Sequence, residues 1–95
     1  MANQKQIQIK ASDDVLKGAY SNLAQVSHLK EEFVLDYMNV FPHQGIGVLT
    51  SRVIISPQHY KRMVAAMQEN LKRYEQTHGI IDVSEQPQHE IGFQG

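Results

Sequence analysis

Histidine and carboxylate side chains are the groups that most often perform acid–base chemistry or bind metal ions in proteins. The chain has five histidines, His28, His43, His59, His78 and His89. They are scattered along the sequence, and no two of them stand at the spacing that a shared metal ion on one helix requires. Because a zinc ion needs several ligands that converge on one point, we expect surface or loop positions for these histidines and predict no metal site.

Asp36 is a carboxylate inside an otherwise apolar segment, FVLDYMNVF. Two interpretations are open. As a general acid or base it would need a polar pocket around it, whereas as a structural group it would face solvent or pair with Arg52 on a neighbouring strand. The sequence shows no marker of a pocket, so we expect the structural role.

Motifs for other catalytic chemistry are absent from the sequence. There is no GxSxG or SxxK nucleophile motif, and the lack of cysteine removes thiol catalysis. The nearest approach to a phosphate-binding loop, at residues 45–47, lacks a third glycine and a helix after it. We therefore predict that the protein is not an enzyme, with no catalytic residue and no cofactor.

Cations repeat at intervals of eleven residues in the segment 57–78. Eleven residues are about three helical turns, so each pair of cations would point in one direction and could contact phosphates or an acidic partner. A solvated helix face explains the same residues, since Glu69 lies between the pairs. We prefer the solvated face and keep the partner surface as the alternative. The residues of this candidate partner surface are Arg52, Lys61, Arg62, Lys72 and Arg73.

The strongest structural signal is a helix that begins after Ser56. The Ser56 hydroxyl can accept from amides of the first turn, Pro57 suits the first helical position, and Gly79 suits the end. Apolar side chains recur three and four residues apart, which predicts an amphipathic helix over Pro57–His78. We call these side chains the apolar stripe: Tyr60, Met63, Val64, Met67, Leu71 and Tyr74. We expect the stripe to face the core.

Four segments before this helix have the pattern of β-strands. Residues 6–10, QIQIK, alternate polar and apolar side chains, which predicts a half-exposed edge strand. Residues 19–29, 33–41 and 48–55 predict the second, third and fourth strands. The third has a helical alternative, but its aromatic and β-branched content and the proline after it favour a strand. A turn or short helical turn at residues 12–16 lies between the first two strands.

These elements predict an α+β fold. Short links between the later strands favour antiparallel neighbours, so we expect a four-stranded antiparallel meander with one long C-terminal amphipathic helix packed across one face. Residues 1–79 would form a single domain. Residues 80–95 contain no basic side chain, and we expect them to form a mobile polar and acidic tail in which residues 80–83 could add a short strand.

Composition limits the classes of function. The 95 residues hold nine Lys and Arg against ten Asp and Glu, so the formal charge of −1 shows no global preference for polyanions. The polar start of the sequence predicts neither a signal peptide nor a membrane span, and we expect a cytoplasmic protein. A small sheet with one helix leaves an apolar face to cover, which predicts a homo-oligomer, with the dimer as the first expectation.

Three segments also carry a resemblance. They are GAYSN at residues 18–22, EFVLDY at 32–37, and SRVIISP at 51–57 with the helix that follows. In order and spacing the chain resembles a bacterial and archaeal family known as domain of unknown function 3467, over residues 6–79. The resemblance implies no activity, substrate or cofactor. It draws attention to four residues without giving them a role: Asn22, Asp36, Arg52 and Pro57.

The sequence as a whole predicts a non-enzymatic, self-associating interaction module. We expect it to bind another macromolecule, as an adaptor or in a chaperone-like way. The alternative is a nucleic-acid-binding or transcription-associated protein that uses the basic face of the helix. Neither a small-molecule substrate nor a membrane partner is indicated.

Overall fold

The computed structural model describes residues 6–84, which contain two helices and one sheet. In chain order the elements are α1 (Asp13–Lys17), β1 (Leu23–His28), β2 (Phe33–Phe41), β3 (Ile46–Ile55) and α2 (Pro57–His78). The strands lie in the order β1–β2–β3, and both neighbouring pairs are antiparallel. In this part of the chain no helix is long and apolar enough to cross a membrane.

The predicted α+β fold with an antiparallel sheet and a long C-terminal helix is confirmed, but the sheet has three strands instead of four, because the first predicted strand is not formed. Residues 6–10 form no strand, and Ile7 and Ile9 are 85% and 90% exposed. Alternation determines which side chains share a face, whereas a strand also needs a neighbour for its backbone hydrogen bonds. Residues 80–83 form no strand either, and residues 85–95 lie outside the described residues.

Two tight connections produce the meander. Between β1 and β2, Leu29 and Glu32 exchange backbone hydrogen bonds of 2.9 and 3.4 Å around a two-residue loop. Between β2 and β3, Gly45 has a φ of 65°, in the left-handed region that glycine adopts at low cost. Both links are too short for a crossover, so each strand must run antiparallel to the one before it.

A β-bulge at Thr50 changes the register of β2 and β3. Tyr37 lies opposite Ser51 but Met38 lies opposite Leu49, so Thr50 is the extra residue of β3. Its hydroxyl donates to the Tyr37 carbonyl at 2.9 Å. With this register the side chains divide into two faces. The Phe33 face comprises Ala24, Val26, His28, Phe33, Leu35, Tyr37, Asn39, Phe41, Ile46, Val48, Ser51, Val53 and Ile55. The Asp36 face comprises Leu23, Gln25, Ser27, Val34, Asp36, Met38, Val40, Gly47, Leu49, Arg52 and Ile54.

Burial is confined to the central strand. Among the described residues the buried hydrophobic side chains are Leu35 and Met38, which are 6% and 3% exposed. On the flanking strands Val26, Val48 and Val53 each leave two-fifths or more of their surface in solvent. A three-stranded sheet with one flanking helix therefore leaves most of its apolar surface without cover in a single chain.

Helix α2 has the predicted bounds and the predicted cap. The Ser56 hydroxyl accepts from the His59 amide at 3.1 Å, and Pro57 is the first helical residue. Only Ser56 separates the helix from β3, whose last residue still pairs with Phe33. The Phe33 ring stacks on Tyr60 with ring centres 4.0 Å apart and planes 4° apart. The strand end and the first turn of the helix are therefore held together.

The predicted packing of the helix across the sheet applies only to its first turns. Tyr60, Met63 and Val64 are half-buried. Further along the apolar stripe, Met67, Leu71 and Tyr74 are 55%, 48% and 49% exposed. The 22-residue helix is about 33 Å long, so its outer part continues past the contact that Tyr60 makes.

Replacing Tyr60 tests whether the ring stack anchors the helix. Tyr60→Leu keeps an apolar side chain but removes the stack, and we expect the free energy of unfolding to fall by about 1 kcal/mol. Tyr60→Phe keeps the ring and should retain wild-type stability, since the described residues offer the hydroxyl no hydrogen-bond partner. Urea unfolding at one fixed protein concentration measures both. Equal losses in the two variants would contradict the anchoring role.

Candidate interaction surfaces

The Asp36 carboxylate and the Arg52 guanidinium form a two-pronged ion pair. The two residues lie directly opposite each other on β2 and β3. Arg52 Nε donates to Oδ1 at 2.7 Å and an Arg52 terminal nitrogen donates to Oδ2 at 3.0 Å. The Asp36 side chain is 7% exposed and that of Arg52 is 51% exposed. Of the two interpretations of Asp36, the structure shows the pair with Arg52.

This pair lowers the pKa of Asp36. The hydrogen bond from Arg52 is the largest cause, burial acts in the opposite direction, and the positive charge of Arg52 adds to the lowering. The same hydrogen bond raises the pKa of Arg52. Both carboxylate oxygens are occupied, and Asp36 is held in its ionised form. The arrangement fixes the register of two strands across the Asp36 face.

Two asparagine side chains hold the end of β2 against the segment that precedes β1. The sequence did not indicate this role. The Asn22 amide donates to the Val40 carbonyl at 3.0 Å, and its oxygen accepts from the Val40 amide at 2.8 Å. It thus takes the place of a backbone partner just before β1. Asn39 donates to the Tyr20 carbonyl at 2.9 Å, and its buried Oδ1 has no partner among the described residues. The sequence signal that could have suggested this role is the position of the two asparagines, one directly before β1 and one near the end of β2.

The histidines of the described chain are not brought together. His28 lies beside the Phe33 ring, with ring centres 5.4 Å apart, and His78 lies beside Tyr74 at 4.8 Å. Between residues 6 and 84, no three His, Asp or Glu side chains are placed to share a metal ion. His89 lies outside the described residues.

The cations of the candidate partner surface are divided between two environments. Arg52 is paired with Asp36, on the sheet face opposite the Phe33–Tyr60 stack. On α2, Arg73 Nε lies 3.4 Å from a Glu69 carboxylate oxygen. The other three helix cations are exposed and make no ion pair within residues 6–84. They are Lys61, Arg62 and Lys72.

Exposed apolar side chains form a larger surface than the exposed cations of α2. The sequence assigned the apolar stripe of α2 to the core, yet its outer half is exposed, and so is the far end of the Phe33 face at Phe41, Ile46 and Val48. Beyond the helix, the Ile81 amide donates to the Glu75 carboxylate at 2.9 Å. This contact places Ile80 beside Leu71 in a shallow groove next to the stripe. The groove extends the apolar surface past the helix end.

These features define a small α+β protein with a three-stranded meander, a projecting helix and two uncovered apolar surfaces. The family model described as "Protein of unknown function (DUF3467)" matches residues 1–83. The chain therefore belongs to this family, as the resemblance predicted. No curated protein and no solved structure matches the chain.

The ion pair predicts a specific pH dependence. Because the pKa of Asp36 is lower in the folded chain than in the unfolded chain, the pair stabilises the fold above the unfolded pKa, and this contribution is lost as the pH falls below about 4. Asp36→Asn should be less stable than wild type at pH 7, and the difference should shrink in acid. Urea unfolding at a series of pH values measures it. Asp14→Asn, at an exposed position of α1, is the control and should follow wild type. A difference that does not depend on pH would contradict this role.

Proposed function

We propose that the chain is a non-enzymatic interaction module that self-associates and binds another macromolecule, in an adaptor or chaperone-like role. The observation that carries the proposal is the amount of apolar surface left in solvent. In the described part of the chain two hydrophobic side chains are buried, while the outer half of α2 and the far end of the Phe33 face are about half exposed. Surfaces of this kind mark sites of association in soluble proteins.

The size of the surface is in the range of stable interfaces. Eight apolar side chains on the stripe and the Phe33 face each leave about half of ~150–200 Å² uncovered. The total is on the order of 700 Å² per chain, close to the roughly 800 Å² that each partner contributes to a typical specific interface. Hydrophobic burial of this extent favours self-association.

The Asp36 face supports the second part of the proposal. Leu49 and Ile54 are 41% and 55% exposed on either side of the ion pair. Apolar side chains beside charged and polar groups are typical of surfaces that bind a partner reversibly. If the Phe33 face is used for self-association, this opposite face stays free for the second macromolecule.

Charge placed in the stripe tests self-association. We expect light scattering at micromolar concentration to give wild type a mass of at least twice 10.8 kDa. Leu71→Glu should reduce the mass to that of one chain, because association would bury the new charge. Gln58→Glu adds the same charge at an exposed position in the first turn of α2, away from the outer half of the stripe, and should leave the mass unchanged. A wild-type particle of one chain would contradict the proposal.

The alternative is nucleic-acid binding through the basic face of α2. Its support is that Lys61, Arg62 and Lys72 are exposed and make no ion pair within the described chain. Cations in this state can replace the counterions of phosphates, which makes binding strongly dependent on salt.

Charge reversal at matched positions separates this alternative from the first proposal. If the alternative holds, Lys61→Glu with Lys72→Glu should weaken the binding of labelled DNA or RNA and reduce the slope of log K against log salt by about 2. Lys17→Glu with Lys30→Glu changes the net charge equally and should have little effect. Filter binding at low salt measures both. No retention of nucleic acid by wild type would remove the alternative.

A further inference from the structure

We propose that two copies pack reciprocally, the outer half of α2 in each copy lying on the far end of the Phe33 face of the other. The outer half is residues 67–78, whose contact side chains would be Met67, Leu71 and Tyr74, and the far end is Phe41, Ile46 and Val48. The inference rests on the proposed self-association and names its partner and its arrangement. The helix-on-sheet layer that the sequence predicts would then form between chains.

The exposure of the Phe33 face increases along the sheet. At the end where α2 begins, Phe33 and Ile55 are half-buried beside Tyr60. At the other end Phe41, Ile46 and Val48 are about half exposed. The chain's own helix thus covers one end of this face and leaves the other end bare.

The exposure of the apolar stripe increases in the same way along α2. Its first side chains are half-buried, and its last three, Met67, Leu71 and Tyr74, are about half exposed. The two bare surfaces do not cover each other within one chain: the Phe33–Tyr60 stack lies at the sheet end opposite Phe41 and Ile46, and both surfaces stay about half exposed. Each surface needs a partner from outside the chain.

A second copy fits both surfaces at once. The outer half of the helix is about 18 Å long, and the exposed part of β3, residues 46–53, is about 26 Å long. The helix segment is therefore short enough to lie along the exposed strand. A two-fold axis brings each helix to the other copy's sheet and leaves neither surface unused. Helix–helix packing alone would leave the Phe33 face uncovered.

The distribution of charge also favours the Phe33 face over the Asp36 face as the contact between copies. No Lys, Arg, Asp or Glu is among the residues of the Phe33 face or of the apolar stripe, and the charged side chains of the outer half, such as Lys72 and Glu75, lie beside the stripe and could stay at the rim of the interface. The Asp36 face, in contrast, has Asp36 and Arg52 at its centre. Depletion of charge is characteristic of the buried centre of an interface between copies.

Cysteine cross-linking tests the arrangement, because the chain contains no cysteine of its own. Val48→Cys and Leu71→Cys chains, carrying different tags, are mixed in urea, refolded together and treated with a short bifunctional maleimide. Random pairing makes about half of the dimers mixed, and we expect these to become covalent while neither variant alone does. Ile46→Cys with Met67→Cys is a second pair. Ala66→Cys, on another side of α2, is the control and should not link to Val48→Cys.

The outcomes separate this inference from the proposed function. Linking of Leu71→Cys to itself without mixed products would indicate helix–helix packing, and linking of Val48→Cys to itself would indicate sheet–sheet packing. Either result, or a dimer with no link in both mixed pairs, overturns the reciprocal arrangement while self-association stands. A particle of one chain in light scattering would overturn both. Circular dichroism of each variant confirms that it is folded before linking.

Discussion

The connection of a single residue between β3 and α2 is the constraint on which the rest of the structure depends. Ser56 caps the helix while Ile55 is still paired with Phe33, and Tyr60 stacks on the Phe33 ring one turn later. These contacts hold the first turn of α2 at one end of the sheet, and Met67, Leu71 and Tyr74 further along the helix are about half exposed. The apolar surface of the chain therefore stays divided into two parts that do not cover each other.

The two faces of the sheet differ in charge. On one face the Asp36–Arg52 pair holds β2 against β3, and the Asn22 side chain holds the end of β2 against the segment before β1. These polar contacts set the strand register without a large hydrophobic core. The other face has no Lys, Arg, Asp or Glu, so it can be buried without separating an ion from water. A single chain therefore has a defined fold and an incomplete core.

Local signals explain what the sequence predicted. The cap at Ser56, the proline after it and the periodicity of the stripe lie within the helix, and they placed its bounds at Pro57–His78 correctly. Alternation at residues 6–10 predicted a strand wrongly, because it cannot supply an edge to pair with. The periodicity of the stripe predicted that α2 has an apolar face, but it did not indicate which surface that face contacts. The sequence offered the Asp36–Arg52 pair as one form of the structural role, but it could not choose the pair over solvent, because the register that places the two residues opposite each other depends on the bulge at Thr50.

We propose that one copy leaves its core incomplete and that a second copy completes it, which couples folding to association. The most direct measurement is the urea unfolding midpoint over a hundredfold range of protein concentration. For a dimer that unfolds to separate chains, each tenfold rise in concentration adds about 1.4 kcal/mol to the apparent stability, so the midpoint should move to higher urea. A midpoint that does not change with concentration would show that the single chain is stable alone, and would contradict the account.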